Sequence, residues 1–294
     1  MEYVKEHSYK SGTPTMGGIA IILAMLTAAL IFGKGKFVYI TLAVAFAYGV
    51  TGFLDDSIKI RYKRNLGLRP YQKIILQLSI ALIVAFVVYK NELIRGDVYI
   101  PFTKNTVSLG WGVIPLVVFI FIATTNSVNL TDGLDGLAAS TTLVYMAGIA
   151  AIIAIVAADA DKNGLSLYVK EYQGLLTVCF ATVGSLAGFL LFNCFPAKIF
   201  MGDVGSLALG GVVACVSILG RLSLYIPILG VMFATSAVSD IIQVVHYKRT
   251  KRRVFLMAPF HHHLQKKGLS ETRIGFLYST ITGIVALICV LTLI

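Results

Sequence analysis

The 294-residue chain is 57% hydrophobic and only 13% charged, with a formal net charge of +11 and a mean hydropathy of +0.83. These values exclude a soluble globular domain and describe a polytopic helical membrane protein. The positive balance then reads as basic loops facing anionic lipid, and no nucleic-acid partner is expected.

Nine candidate spans follow in order, at about residues 15–33, 37–54, 72–90, 111–130, 134–158, 173–192, 204–220, 224–246 and 274–294. Each is close to the roughly 20 residues that cross the hydrocarbon as a helix. No repeat or low-complexity tract divides them, so residues 1–294 read as a single all-α integral membrane domain, a bundle of about nine helices. The stretch ahead of the first span, MEYVKEHSYKSGTP, is polar and charged and is no cleavable signal peptide. Cys179, Cys194, Cys215 and Cys289 lie in or beside apolar runs without metal-ligand spacing and are expected to pack rather than react.

The first span opens on GTPTMGG at 12–18, a turn and a close-packed helix start. The second ends in GFLDDSIK at 52–59. Asp55 and Lys59 are spaced i, i+4 and share a helix face, and a plain ion pair is the modest reading. Adjacent Asp55 and Asp56 at a membrane edge repel unless a cation or proton relieves them, which points to Mg²⁺ or a general base. The loop GDVYIPFTKNTVSLG alternates apolar and polar residues around Lys104 and Asn105, a pattern for a short hairpin.

NSVNLTDGLDG at 126–136 is wedged between two apolar runs. Charge at such an edge is costly unless it faces a cavity, a partner or a cation; a polar capping turn is the structural alternative. In FMGDVGSLALGG at 200–211, Gly202 and Gly205 flank Asp203 where a helix starts. Free N–H groups there favour phosphate, and Asp203 suits a metal whose other ligands are phosphate oxygens. MAPFHHHLQKKG at 257–268 places His261, His262 and His263 in an extended, solvent-exposed loop, suited to hydrogen bonding phosphate or sugar oxygens. KRTKRR at 248–253 reads as a basic anchor.

Orientation follows from Lys and Arg. With the N-terminus inside, 17 of the 25 basic residues fall on inner segments. Asp55, Asp56, Asp132, Asp135 and Asp203 then gather at the inner surface, while Glu92, Asp97, Asp159, Asp161 and Glu171 fall in solvated outer loops.

The motifs GTPTMGG, GFLDDSIK, NSVNLTDGLDGLA, FMGDVGSLALGG and MAPFHHH, in this order, closely resemble the phospho-N-acetylmuramoyl-pentapeptide-transferase family. That family belongs to the polyprenyl-phosphate N-acetylhexosamine-1-phosphate transferases, and the resemblance covers essentially the whole chain. It implies transfer of phospho-N-acetylmuramoyl-pentapeptide from its UDP-linked form to undecaprenyl phosphate, giving lipid I and UMP in peptidoglycan synthesis. It also implies Mg²⁺, a bacterial plasma membrane and a cytoplasmic active site. By the same resemblance Asp203 is the Mg²⁺ ligand. Asp55 and Asp56 handle the lipid phosphate, and Lys59 contacts phosphate. Asn129, Asp132 and Asp135 belong to the nucleotide and pyrophosphate site. Phe200 stacks on uracil, and His261, His262 and His263 contact substrate phosphate and sugar. The family has ten spans; with about eleven residues ahead of GTPTMGG, its first is expected to be missing from this sequence. The basic residue usual near Tyr71 is missing, and Lys73 or Arg69 is the substitute. A second copy of the chain is a candidate partner. Two alternatives stand beside this reading. One is a sister transferase moving N-acetylglucosamine-1-phosphate for teichoic acid or O-antigen. The other is a cation-coupled transporter using intramembrane acids.

Overall fold

The computed structural model of the chain describes residues 12–62, 66–103 and 105–293. Residues 1–11, 63–65, 104 and 294 lie outside the described residues, including Lys5, Lys10, Lys63 and Arg64 of the basic count and Lys104 of the hairpin.

The spans expected from hydropathy become α1 (Gly18–Phe32), α2 (Lys36–Arg61), α3 (Pro70–Lys90), α4 (Val113–Thr131), α5 (Leu137–Lys162), α6 (Ser166–Asn193) and α7 (Gly202–Leu219). A short α8 (Ile226–Leu229) leads into α9 (Val231–Thr250), and α11 (Glu271–Leu291) ends the chain. Between α9 and α11 lies α10 (Phe260–Lys266). Among the described residues, seven helices are long and apolar enough to cross a bilayer, and the α8–α9 region makes an eighth if the pair counts as one span. Helical α1 has 15 residues, about 22 Å of rise, and is shorter than the expected 15–33 span. Its entry is held otherwise: the backbone N–H of Phe200 donates to Pro14 (2.8 Å), that of Gly17 to Phe200 (2.9 Å) and that of Gly18 to Met201 (2.9 Å). The eighth span is no straight helix, because the chain bends by 77° at Gly230 between α8 and α9.

Helix α7 is the axis of the bundle. Every residue from Val204 to Leu219 is buried, and the run is rich in Gly, Ala and Ser, which lets neighbouring backbones approach closely. A Cβ on Gly18 would collide with the backbone of Gly205, and one on Gly52 with the Asp203 carbonyl. Helices α1 and α2 therefore press directly on the first turn of α7, the turn that carries Asp203. The outward faces of the bundle are apolar, with Phe32, Phe119, Phe180 and Phe276 each more than 60% exposed, as lipid contact requires.

The hairpin forms as β1 (Asp97–Tyr99) paired antiparallel with β2 (Thr106–Ser108). Two outer acids are not the solvated residues expected. Glu171 is buried on α6, where its carboxylate accepts the N–H groups of Lys36 (3.0 Å) and Phe37 (2.8 Å) and so caps α2. Asp97 pairs with the Arg221 guanidinium at 3.0 Å. Cys179, Cys215 and Cys289 are buried as expected, but Cys194 is exposed at the end of α6.

Candidate active site

The C-terminal end of α2, the N-terminal ends of α3 and α7, and the turn after α4 meet at one end of the bundle around a cavity of about 520 Å³. Thr15, Asp56, Lys59, Asp132, Asp135, Phe200, Asp203 and His262 line it. The unbroken helical register through Arg61 puts Asp55, Asp56 and Lys59 on the inward side of α2. Lys59 Nζ reaches three carboxylates: Asp55 Oδ2 at 2.6 Å, Asp56 Oδ1 at 3.3 Å and Asp203 Oδ2 at 3.0 Å. Lys73 Nζ, from the first turn of α3, lies 2.7 Å from the same Asp203 oxygen. The other oxygen, Oδ1, accepts Asn129 Nδ2 at 2.8 Å, and this amide also donates to Ser206 Oγ at 2.8 Å.

Each acid has a second anchor. Asp55 Oδ1 accepts the Leu68 N–H (2.9 Å), and Asp56 Oδ2 accepts the Val204 N–H (3.1 Å), one of the free donors at the start of α7. The expected anion at this helix start is thus first met by a side chain of the protein. Asp55, Asp56 and Asp203 offer ligand oxygens within 4.8 Å of one another, the one such acidic group found among the described residues. A hard divalent cation takes oxygen ligands, typically one or two carboxylates plus phosphate, so this donor set fits Mg²⁺. The arrangement widens the expected metal position from Asp203 alone to all three acids.

The turn after α4 splits the two acids of TDGLDG. Asp132 lines the cavity, where burial first and then the charges of Asp203, Asp56 and Asp135 push its carboxyl up to about 7. Asp135 works as a clamp: its Oδ2 accepts the Ala197 N–H (2.9 Å), while its own N–H donates to Glu271 Oε2 (3.0 Å). Asn193 continues the clamp, accepting from Gly136 N–H (3.1 Å) and donating to the Ile199 carbonyl (2.9 Å). Together they hold the loop that brings Phe200 to the cavity wall.

The three histidines do not occupy an extended exposed loop. They sit on α10, whose turn sends them in different directions. His262 lines the cavity, with Nδ1 3.1 Å from Gln265 Oε1. His261 is fully buried, neither ring nitrogen has a hydrogen-bond partner, and burial together with His262 pushes its imidazolium down to about 3. Its ring packs beside Gly133, where a Cβ would strike Nε2. His263 turns the other way: Nδ1 accepts the Leu256 N–H (3.1 Å), and the ring stacks on Phe260.

Ser206, Asn193 and Glu271 are the residues that sequence reasoning did not assign. Lys73 carried a signal, since an ammonium inside a span needs a partner. Of Lys73 and Arg69, Lys73 is the one in contact with Asp203.

An all-α membrane bundle with carboxylates, lysines and an asparagine converging at one end has the donors that a membrane transferase acting on phosphorylated substrates needs. The Glycosyl transferase family 4 model matches residues 37–221, and the phospho-N-acetylmuramoyl-pentapeptide-transferase signature 1 matches residues 10–22. Three relatives carry the name phospho-N-acetylmuramoyl-pentapeptide-transferase. That of Clostridium novyi is 42% identical over 99% of this chain and 86% of its own; that of Clostridioides difficile is 42% identical over 97% and 85%. That of Bacillus mycoides is 45% identical over 92% and 80%. The chain belongs to the phospho-N-acetylmuramoyl-pentapeptide-transferase family.

Proposed function

We propose that this chain transfers phospho-N-acetylmuramoyl-pentapeptide from its UDP-linked form to undecaprenyl phosphate, releasing UMP and forming lipid I for peptidoglycan synthesis. A phosphate oxygen of the lipid attacks the sugar-bearing phosphorus. The bond from that phosphorus to the oxygen bridging it to UMP breaks, and that oxygen leaves with UMP. The observation that carries the reading is the convergence of Lys59, Lys73 and Asn129 on Asp203 beside Asp55 and Asp56.

The work of such a site is positioning and charge neutralisation, since the attacking phosphate is itself an anion. Lys73 keeps N–H donors beyond its Asp203 contact for phosphate oxygens, whereas Lys59, whose three donors already face three carboxylates, meets phosphate only by exchanging one of them. Asn129 keeps Asp203 in one rotamer. His262 stands at the cavity wall within reach of a phosphate or sugar oxygen. Phe200 offers an aromatic wall for a base, and Asp132 an acceptor for a hydroxyl or ring N–H. Asp203, with Asp55 or Asp56, would hold Mg²⁺, which when bound offsets the charge of the pyrophosphate. The basic-residue bias supports a position for this end of the bundle on the cytoplasmic side of a bacterial plasma membrane.

The test is to incubate the purified protein with UDP-N-acetylmuramoyl-pentapeptide, undecaprenyl phosphate and Mg²⁺ and to measure UMP, with and without EDTA. UDP-N-acetylglucosamine runs in parallel. UMP release with the first donor only, abolished by EDTA, is expected. Preference for the second donor would move the chain to the sister activity.

A further inference from the structure

One turn deeper in the membrane than the site, a polar contact directly joins α3 and α4, the two helices that otherwise meet through Asp203 of α7. Gln77 lies one helical turn beyond Lys73 on α3, and Asn126 lies one turn before Asn129 on α4. Asn126 Nδ2 donates to Gln77 Oε1 at 2.8 Å, and the Gln77 backbone carbonyl accepts Tyr48 Oη from α2 at 3.2 Å. Gln77 is fully buried. It is also the first buried residue of α3, because Tyr71, Gln72, Ile74 and Ile75 before it are all exposed. The turn that carries Lys73 therefore has little apolar packing to fix its height or rotation. A polar pair in hydrocarbon is conspicuous, since an amide there is costly unless it is hydrogen-bonded.

We infer that the Gln77–Asn126 amide pair is a positioning element for transfer: it sets the register of α3 against α4 so that Lys73 and Asn129 meet the two oxygens of one carboxylate, Asp203. Neither side chain touches substrate; both act through the tier above. The inference rests on the site reading given under the proposed function. A slip of α3 by a fraction of a turn would withdraw the Lys73 ammonium from Oδ2 while leaving Asn129 on Oδ1, and misplacement on that scale is enough to slow a reaction that depends on positioning.

The experiment uses the full-length protein in detergent, with kcat, KM for the nucleotide substrate and a thermal melt measured for Gln77→Leu, Asn126→Leu, the double variant and Gln77→Glu. The neutral acid of the last is nearly isosteric with Gln and keeps the acceptor for Asn126. Expected are about tenfold losses in kcat for each leucine variant with KM within about threefold. The double variant should be no worse than either single, and Gln77→Glu should recover to within about threefold of wild type. Wild-type kcat in both leucine variants overturns the inference. Additive losses that track a falling melt, without recovery in Gln77→Glu, overturn it in favour of plain packing. If the wild-type protein itself releases no UMP, it is the proposed activity that fails, and the two failures are distinguishable.

Discussion

Lys73 Nζ and Asp203 Oδ2 stand 2.7 Å apart although 130 residues separate them in the chain. The contact ties the exposed first turn of α3 to the most buried helix of the bundle, and it gives Asp203 a second cation besides Lys59.

Asp203→Asn is expected to abolish transfer with the fold intact. The carboxamide oxygen can still accept from Asn129, but it is a poorer ligand for a hard cation. UMP release measured across a Mg²⁺ titration checks this, and near-normal turnover at low Mg²⁺ would remove Asp203 from the metal site.

Lys73→Met should lower kcat/KM by about 10²–10³-fold, roughly 2.7–4 kcal/mol of lost electrostatic stabilisation. Arg69→Met should stay within about threefold of wild type, because its side chain is not part of the acidic cluster. Equal effects at the two positions would show that Lys73 is not the particular cation the site uses.

The histidines should separate by placement. His262→Ala is expected to cut transfer more than tenfold with little change in the melt, since its ring lines the cavity. His261→Ala should instead lower stability by about 2–4 kcal/mol, because it opens a cavity in a buried site. His263→Ala should loosen the 254–256 turn and leave kcat within a few-fold. Loss of transfer without loss of stability in His261→Ala would place that ring on the substrate.

His261 also sets a pH dependence of stability. Its folded value of about 3 lies below the ordinary 6.5, so its contribution is full above pH 6.5. Below that the unfolded chain takes up a proton that the native state does not, and stability falls until about pH 3. Between pH 6.5 and 5 the loss is about 2 kcal/mol. Melts of wild type and His261→Phe over pH 5–7.5 test it, with a flatter profile expected for the variant. Parallel profiles would show that another group carries the slope.

On a Cys194→Ser background, cysteines at Lys267 and Asn163 should react with a membrane-impermeant thiol reagent from opposite sides, Lys267 from the cytoplasm. Labelling of both from one side would overturn the topology.

Hydropathy alone located the long apolar helices, though not α10 or the bend at Gly230, because a run of apolar residues long enough to cross a bilayer is a local property of the chain. The motifs likewise marked Asp55, Asp56, Lys59, Asp132 and Asp203 as candidates, since charge at a membrane edge demands an explanation wherever it lies, whereas Asn129 came only from the family resemblance. Packing decided the rest. That Lys73 rather than Arg69 reaches Asp203 depends on the rotation of α3 against α7, which no segment of α3 encodes by itself. The short α10 turn, not the run of three histidines, decides that His262 faces the cavity while His261 packs beneath Gly133 and His263 holds a neighbouring turn. Asp135 looks like Asp132 in sequence and differs only because the Ala197 N–H is folded onto it. Glu171, read as a solvated outer acid, is buried because the start of α2 brings it two unpaired N–H groups. In each case the deciding partner is distant in sequence. A single stretch of chain specifies its own helix and its own polarity, whereas the partner a polar group meets is specified only when the helices have packed.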